Sequence, residues 1–422
     1  MSYARHLEAG CVERFLRYVR FDTRSDEASN SYPSTAKQLE LLRTLRDELE
    51  ALGLDDVAMD RHGYVTATIP ATVPADAAAE VPVIGFVAHV DTSPEMPGHG
   101  VEPILHRDYR GQRIQLPHDP DAVLDPEVHP ELLEAVGHDI VTASGKTLLG
   151  ADDKAGVAEI MAAADFLMSR PDIPHGNIRV AFTPDEEIGR GTDFFDVEAF
   201  GARFAYTLDG GGRGCLEAET FSADSMRITF KGFNTHPGYA KGEMVNAVKV
   251  AADFIHRLPK DALSPETTEG YEGYVHPNSL DAAVDRTSVD LLIRSFDTPG
   301  LQEKERWLEE LAAATAADWP GTTVEVEIQE SYRNMREILD RHPEVLEIAR
   351  TAIKDADLEL RESPIRGGTD GSRLSFMGLP TPNLSSGQHN IHSRLEWADC
   401  WEMAKAAEVM VRICELWAAR TP

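Results

Sequence analysis

Cysteine is scarce in this chain. Its four thiols, at Cys11, Cys215, Cys400 and Cys414, lie far apart and form no Cys-x-x-Cys pair, which excludes a disulfide framework and a cysteine-built metal site as organising devices. They are expected to be buried thiols of a cytoplasmic protein. Long apolar runs are also missing: no stretch approaches the roughly 20 residues that span a bilayer, and the opening MSYARHLEAGCVERF has no apolar segment of signal-peptide length. Basic residues are outnumbered, with 41 Lys and Arg against 72 Asp and Glu and a formal charge of -31. A field of that sign repels phosphate backbones and anionic lipid, so neither nucleic acid nor a membrane is an expected partner.

What is present is apolar material in quantity. A chain of 422 residues with 42% hydrophobic content exceeds one ordinary domain and can bury two cores. Leu39, Leu42, Leu45, Leu49 and Leu52 recur at helical spacing, which predicts an amphipathic helix over 35–52 with Ser34 as N-cap and Gly53 as stop. Val81 to Ala88, Ile178 to Phe182 and Phe204 to Leu208 read as buried parallel strands, with a helix from Lys154 to Met168 between the first two. The pattern changes near Asp224. Strands at Met226 to Phe230, around Tyr271 to Tyr274, at Ser288 to Phe296 and at Thr323 to Ile328, with helices at Glu243 to Leu258 and Leu301 to Ala317, give the order β-α-β-β-α-β of a two-layer, ferredoxin-like unit. Helix and strand signals resume after Glu330 and end in a helix from Ala398 to Ala419, while 71–82 reads as a surface loop. The expected fold is therefore α/β: a catalytic domain from 1–220 and 336–422, with a mostly parallel sheet flanked by helices, interrupted by an inserted α+β domain at 221–335.

Polar residues follow the strands at informative places. VIGFVA runs into His89-Val90-Asp91, IRVAFTP into Asp185-Glu186-Glu187, and FAYTL into Asp209, while Asp152 in LLGADDKAG opens a helix. In an open parallel sheet, ligands bind outside the carboxyl ends of the strands, so these segments should converge on one crevice. Each piece alone is unspecific. Together, Asp91, Asp152, Glu186, Glu187 and Asp209 in one crevice would raise one another's pKa values unless cations neutralised them. Nitrogen and oxygen donors without thiolate suit zinc first, with cobalt or manganese as substitutes. A pair of ions needs a further imidazole, and SSGQHNIHSRLEW offers His389 and His392.

GFVAHVDTSPE, TLLGADDKAGVAEI, TPDEEIGRG, YTLDGGG, FNTHPGYAKGEMVNA, PETTEGYEGY and IRGGTDGSRLSFMGLPTPNL, spread over nearly the whole chain, resemble the peptidase T family of tripeptide aminopeptidases. That family sits in a clan with co-catalytic zinc aminopeptidases, aminoacylases and desuccinylases. The resemblance implies two zinc ions, one held by His89 and Asp209, the other by Glu187 and His392, with Asp152 bridging. It selects His392 because Glu396 follows four positions later, as in the clan; His389 has no such match. Asp91 would hold His89, and Glu186 would be the general base toward metal-activated water, returning the proton to the leaving amine. His236 would stabilise the oxyanion, with the inserted domain serving as lid or homodimer surface. Arg366 would grip a substrate carboxylate, and Asn246 would contact bound peptide. The substrate implied is a short peptide, cut after its first residue. The run SSGQHN, with Ser393 and Trp397, departs from the glycine-rich aromatic run, the following glycine and the phenylalanine usual in the family.

Other readings make distinct claims. An aminoacylase, desuccinylase or dipeptidase would cut another amide with the same metals. A non-catalytic peptide-binding relative would have lost the base or a ligand, and all seven positions are intact. A glycosidase would use two acids without histidine ligands.

Overall fold

The computed structural model describes residues 3–420. The chain divides into two compact units: Met1–Ala218 with Glu337–Ser363 and Thr369–Pro422, and Glu219–Arg336 with Pro364–Gly368.

The first unit is built on an eight-stranded sheet. Its strands run in the order Asp55–Met59, Val65–Ile69, Ile178–Thr183, Ile84–His89, Phe204–Gly210, Asn383–Ser385, Cys215–Glu217 and Arg361–Glu362. The sheet is parallel across its centre, from Ile178–Thr183 to Asn383–Ser385, and antiparallel where Val65–Ile69 and Cys215–Glu217 join. Ile84–His89 is buried at every position, as an unbroken apolar run covered on both faces must be. On one face Val87, Ala181 and Ala205 meet Phe195, Phe200, Leu374 and Leu379. The helices Ala4–Tyr18, Ala151–Ser169 and Cys400–Ala419 pack together, and Ala151–Ser169 lies against the central strands Ile84–His89 and Phe204–Gly210. That approach is so close that a Cβ on Gly156 would stand 1.9 Å from the carbonyl oxygen of Leu208. The glycine of ADDKAG is thus what lets Asp152 and Asp209 come near one another.

Several local expectations are corrected. The first amphipathic helix runs from Gln38 to Leu52 and buries Leu41, Leu42, Leu45 and Leu49. Ser34 does not cap it, because its backbone N–H and hydroxyl are both given to Asp185. The segment 71–82 contains a short helix, Ala75–Ala78. Cys11, Cys400 and Cys414 are buried free thiols, whereas Cys215 is half-buried beside Ser363. Among the described residues no helix is long and apolar enough to cross a membrane.

A small antiparallel sheet, Gln388–His389, Trp397–Asp399, Ile140–Thr142 and Ile104–His106, stands on its own core of Tyr109, Ile114, Leu116, Leu124, Leu132 and Trp397. Trp397, the departure noted in the sequence, is that core's largest member and faces inward there.

The second unit is a four-stranded antiparallel sheet in the order Tyr274–Ala282, Arg286–Ser295, Ser222–Lys231 and Thr323–Tyr332. Met226, Ile228, Phe230, Val289, Leu291 and Ile293 alternate onto one face and pack on Phe254, Leu301 and Leu308 of the helices Ala247–Arg257 and Thr298–Ala317. In chain order this is the split β-α-β-β-α-β unit. The strand expected at Tyr271 begins only at Tyr274, and the helix expected from Glu243 begins at Ala247 because Asn246 caps it. Arg366, expected in the catalytic domain, groups with this unit instead: Ile365 N donates to Glu219 O at 2.8 Å, and Thr220 and Ile365 bridge in parallel.

One core residue makes a stability prediction. Glu159, in the middle of Ala151–Ser169, is 0% exposed and neither carboxyl oxygen has a partner. Burial holds its pKa well above the ordinary glutamate range. The unfolded chain ionises near its unperturbed value, so this group's favourable contribution is complete below about pH 4.3 and is lost as pH rises toward the folded value. Glu159→Met keeps the volume and helix propensity, and is expected to stabilise the protein by about 1–3 kcal/mol at pH 8, with a smaller gain at pH 5. Thermal melting at the two pH values checks this; a variant no more stable than wild type at pH 8 would refute it.

Candidate metal centre

The three strand ends and the helix start do converge. His89 closes the strand Ile84–His89, and Glu186 and Glu187 form a turn after Ile178–Thr183. Asp209 sits near the end of Phe204–Gly210, and Asp152 lies at the N-terminal end of Ala151–Ser169, in a kink where its own backbone is extended rather than helical. His89 Nε2 is 3.1 Å from Asp152 Oδ1, 3.7 Å from Asp209 Oδ1 and 4.0 Å from Glu186 Oε2. His392 Nε2 is 2.8 Å from Glu187 Oε2 and 3.2 Å from Asp152 Oδ2. The two oxygens of Asp152 therefore face two different imidazoles.

The supports around these groups explain how the chain places them. Asp91, fully buried, has Oδ1 3.3 Å from His89 Nδ1 and accepts hydrogen bonds from the backbone N–H of Glu186 at 3.0 Å and Glu187 at 3.2 Å. It clamps the Glu186-Glu187 turn and lies against the imidazole, whose Nδ1 has no hydrogen-bond partner of its own. Asp185, in the left-handed region at φ 62, anchors the same turn from below through Ser34 and Gln38. Glu396 accepts from the backbone N–H groups of Leu149, Gly150 and Asp152 at 2.6, 2.7 and 3.0 Å. It thereby ties the His392 segment to the turn that presents Asp152. Three buried N–H groups would lose their acceptor without it, each at about 1–3 kcal/mol. Asp153 accepts from His89 N at 3.1 Å and Gly156 N at 3.2 Å. It lies close enough to His89 and Asp209 to complete a triad of donors, but both its oxygens are already engaged with backbone.

Electrostatics set the demand for positive charge. Burial, with Asp152 beside them, pushes the carboxyls of Glu187 and Asp209 up to about 8 and about 6. Burial raises Glu186 well above the ordinary range, with Asp370, Asp209 and Glu187 adding to it against His89. Burial opposes charge on the imidazoles, yet the surrounding carboxylates outweigh it: Asp152 and Glu187 raise His392 to about 11, and Asp152, Asp209 and Asp91 raise His89 well above normal. Asp152, despite burial, is held below the usual range by the two rings. Glu187 Oε1 is buried with no partner. A donor set of imidazole and carboxylate, a carboxylate shared between two rings, and an orphaned carboxylate oxygen together fit a pair of divalent cations.

Sequence reasoning did not single out Asp185, Asp153 or Asp370. The last is buried, accepts from Thr183 Oγ1 at 2.9 Å, and is pushed by burial up to about 7. Adjacent acids in DEE and DD were the available signal for the first two; TDG gave none for the third. His389 takes no part: its ring stacks on Trp397 at 3.9 Å and its Nε2 meets Glu402 at 3.0 Å.

The remaining sequence candidates belong to the second unit. His236 is exposed, and its Nδ1 accepts from Gly238 N at 3.1 Å, which leaves Nε2 to carry the proton in the neutral ring. Asn246 Oδ1 accepts from Val248 N at 3.0 Å, as an N-cap does. Arg366 donates to the carbonyls of Gly270 and Glu272, both at 2.8 Å, and to Thr268 Oγ1 at 2.9 Å. Its guanidinium lies over Phe221 and Tyr274. These contacts make it the clamp of the loop 268–272.

Comparison with known proteins places this geometry in context. Residues 145–416 match the model of peptidase family M20/M25/M40. The chain is 48% identical to peptidase T of Clostridium botulinum strain 657, covering 97% of this chain and 99% of that one. Peptidase T of Geobacillus kaustophilus is likewise 48% identical, over 96% and 97%. Among solved structures, the aminopeptidase PepT of Bacillus cereus superposes with a TM-score of 0.74 at 25% identity, covering 98% of this chain and 99% of that one.

Proposed function

The chain belongs to peptidase family M20/M25/M40, in its peptidase T branch, and from that premise we propose that it is a two-zinc aminopeptidase that releases the N-terminal residue of tripeptides. The observation that carries the metal half of this reading is Asp152, with one oxygen 3.1 Å from His89 and the other 3.2 Å from His392. Two divalent ions there would supply Lewis acidity toward the scissile carbonyl and bring the pKa of water toward neutrality. His89 and Asp209 would hold one, Glu187 and His392 the other, and Asp152 both. Glu186 acts as the base: its carboxylate takes a proton from the attacking water and gives it to the departing amine. Asp91 fixes the orientation of His89 and of the Glu186 backbone, so the base and the ligand sphere share one support.

The second unit carries the lid and homodimer roles in this proposal. His236, with Nε2–H as its free donor, is the oxyanion partner. Asn246 and Arg366 are candidates for contacting the peptide, each in addition to the structural role its own hydrogen bonds define. The free thiols agree with a cytoplasmic location.

Mass spectrometry of products tests the reading. Zinc-loaded protein is incubated with a free tripeptide, its N-acetylated form and a dipeptide. Release of the first residue from the free tripeptide alone is the expected result. Cleavage of the acetylated peptide or the dipeptide would assign a different amide substrate, and no cleavage of any would end the enzymatic reading.

A further inference from the structure

Gln388 and His389 form a two-residue strand paired with Trp397–Asp399, Gln388 opposite Ala398 and His389 opposite Trp397. Successive side chains on a strand point to opposite faces. His389 goes to Trp397 and Glu402. Gln388, 4% exposed, goes the other way, and its Nε2 donates to the carbonyl oxygen of Asp209 at 3.1 Å and to Oδ1 of the same residue at 3.2 Å. Both neighbours are acceptors, so the amide can face them only with its NH2 group. Its own Oε1 is left buried without a partner. An apolar side chain at 388 would avoid that unpaired acceptor, and would lose only the grip on Asp209.

A single donor that holds both the main-chain and the side-chain oxygen of one residue restricts that residue's χ1. Asp209 is fixed from its other end too: its N–H donates to Asn383 Oδ1 at 3.1 Å, and Asn383 Nδ2 donates to Glu217 Oε2 at 2.7 Å. The carboxylate so held is the one that faces His89 at 3.7 Å.

We infer that Gln388 is a positioning residue for the metal pair: it locks the Asp209 carboxylate in the rotamer that faces His89 and thereby sets the affinity of the metal position those two residues build. The inference rests on the reading of His89 and Asp209 as ligands. Hydrogen-bonding partners of metal-binding side chains typically change metal affinity by about 10–100-fold.

The test is a cobalt titration of the chelator-stripped, full-length chain, followed by calorimetry and visible absorption, for wild type, Gln388→Met and Gln388→Ala. Methionine keeps the volume and removes the donor; alanine decides in its place if the methionine variant does not fold. The expected result is two ions per chain in wild type and, in the variants, one binding step weakened about 10–100-fold and the other unchanged, with the melting of the metal-free methionine variant not lowered. Wild-type affinity at both steps overturns the inference and leaves the metal reading standing. Equal weakening of both steps together with a lower metal-free melting temperature marks Gln388 as merely structural and also overturns it. A wild type that takes up no pair of ions removes the metal reading itself, and the inference with it.

Discussion

Glu186→Gln is expected to lower kcat by about 100- to 10,000-fold while two divalent ions stay bound and KM changes no more than a few-fold. The reasoning starts from position. Glu186 Oε2 stands 4.0 Å from His89 Nε2, beside the donor cluster but outside its closest contacts. Its neighbour Glu187 is the one that reaches His392, at 2.8 Å. Both backbone N–H groups are held by Asp91, so an amide at 186 has no cause to shift the turn. Glutamine fills the same space and can hydrogen-bond, but it cannot accept and return a proton. Metal content by mass spectrometry and steady-state kinetics on a tripeptide separate the possibilities. A variant that keeps most of its kcat would show that another group carries the proton; one that loses an ion would make Glu186 a ligand.

Asp152→Asn should have the larger effect on metal. A carboxylate offers two equivalent anionic oxygens, and at Asp152 each one faces its own imidazole. An amide offers one neutral oxygen and turns an N–H2 toward the other position, which repels a cation. The expected outcome is at most one tightly bound ion per chain and activity reduced at least a thousand-fold, since the metals account for several kcal/mol of transition-state stabilisation. The fold should persist without metal, because the Asp152 backbone N–H keeps its bond to Glu396 and a negative charge leaves a crowded group of acids. Two ions retained at wild-type affinity would refute the bridging role.

The sequence displayed the site's members more clearly than their supports. His89, Glu187 and Asp209 follow central strands and Asp152 opens a helix, and a parallel sheet gathers such positions at one edge; His392, in a turn outside that sheet, was reached only through the family resemblance. The four-residue interval from His392 to Glu396 was visible too. What Glu396 does was not, since its three backbone donors lie at residues 149, 150 and 152 and nothing local announces such a pairing. Ser34 illustrates the opposite error. Its hydroxyl and its place before a leucine-rich helix make a good local cap, but a buried Asp185 draws its hydrogen bonds away, and the helix begins at Gln38. Arg366 was legible as a cation able to fork onto oxygen atoms; that the oxygens would be those of residues 268–272 depends on a return of Pro364–Gly368 to the second unit, which periodicity does not encode. The order of elements in the inserted unit was legible because alternation and helical spacing are local properties.

The bond from Asp152 N to Glu396 closes a separation of 244 residues. On a ribosome adding about 5–20 residues per second, roughly ten seconds to a minute pass between the synthesis of these two partners. During that interval the Phe204–Gly210 strand also waits for its parallel neighbour Asn383–Ser385, while the second unit between them has all its main strands and can fold. A nascent chain that has made His89, Asp152, Glu187 and Asp209 thus holds an acidic cluster without its second imidazole or the carboxylate that fixes its turn. With the proposed ligand set, secure capture of a metal pair becomes a late event of biosynthesis, and a chain stalled before residue 392 would be released without it.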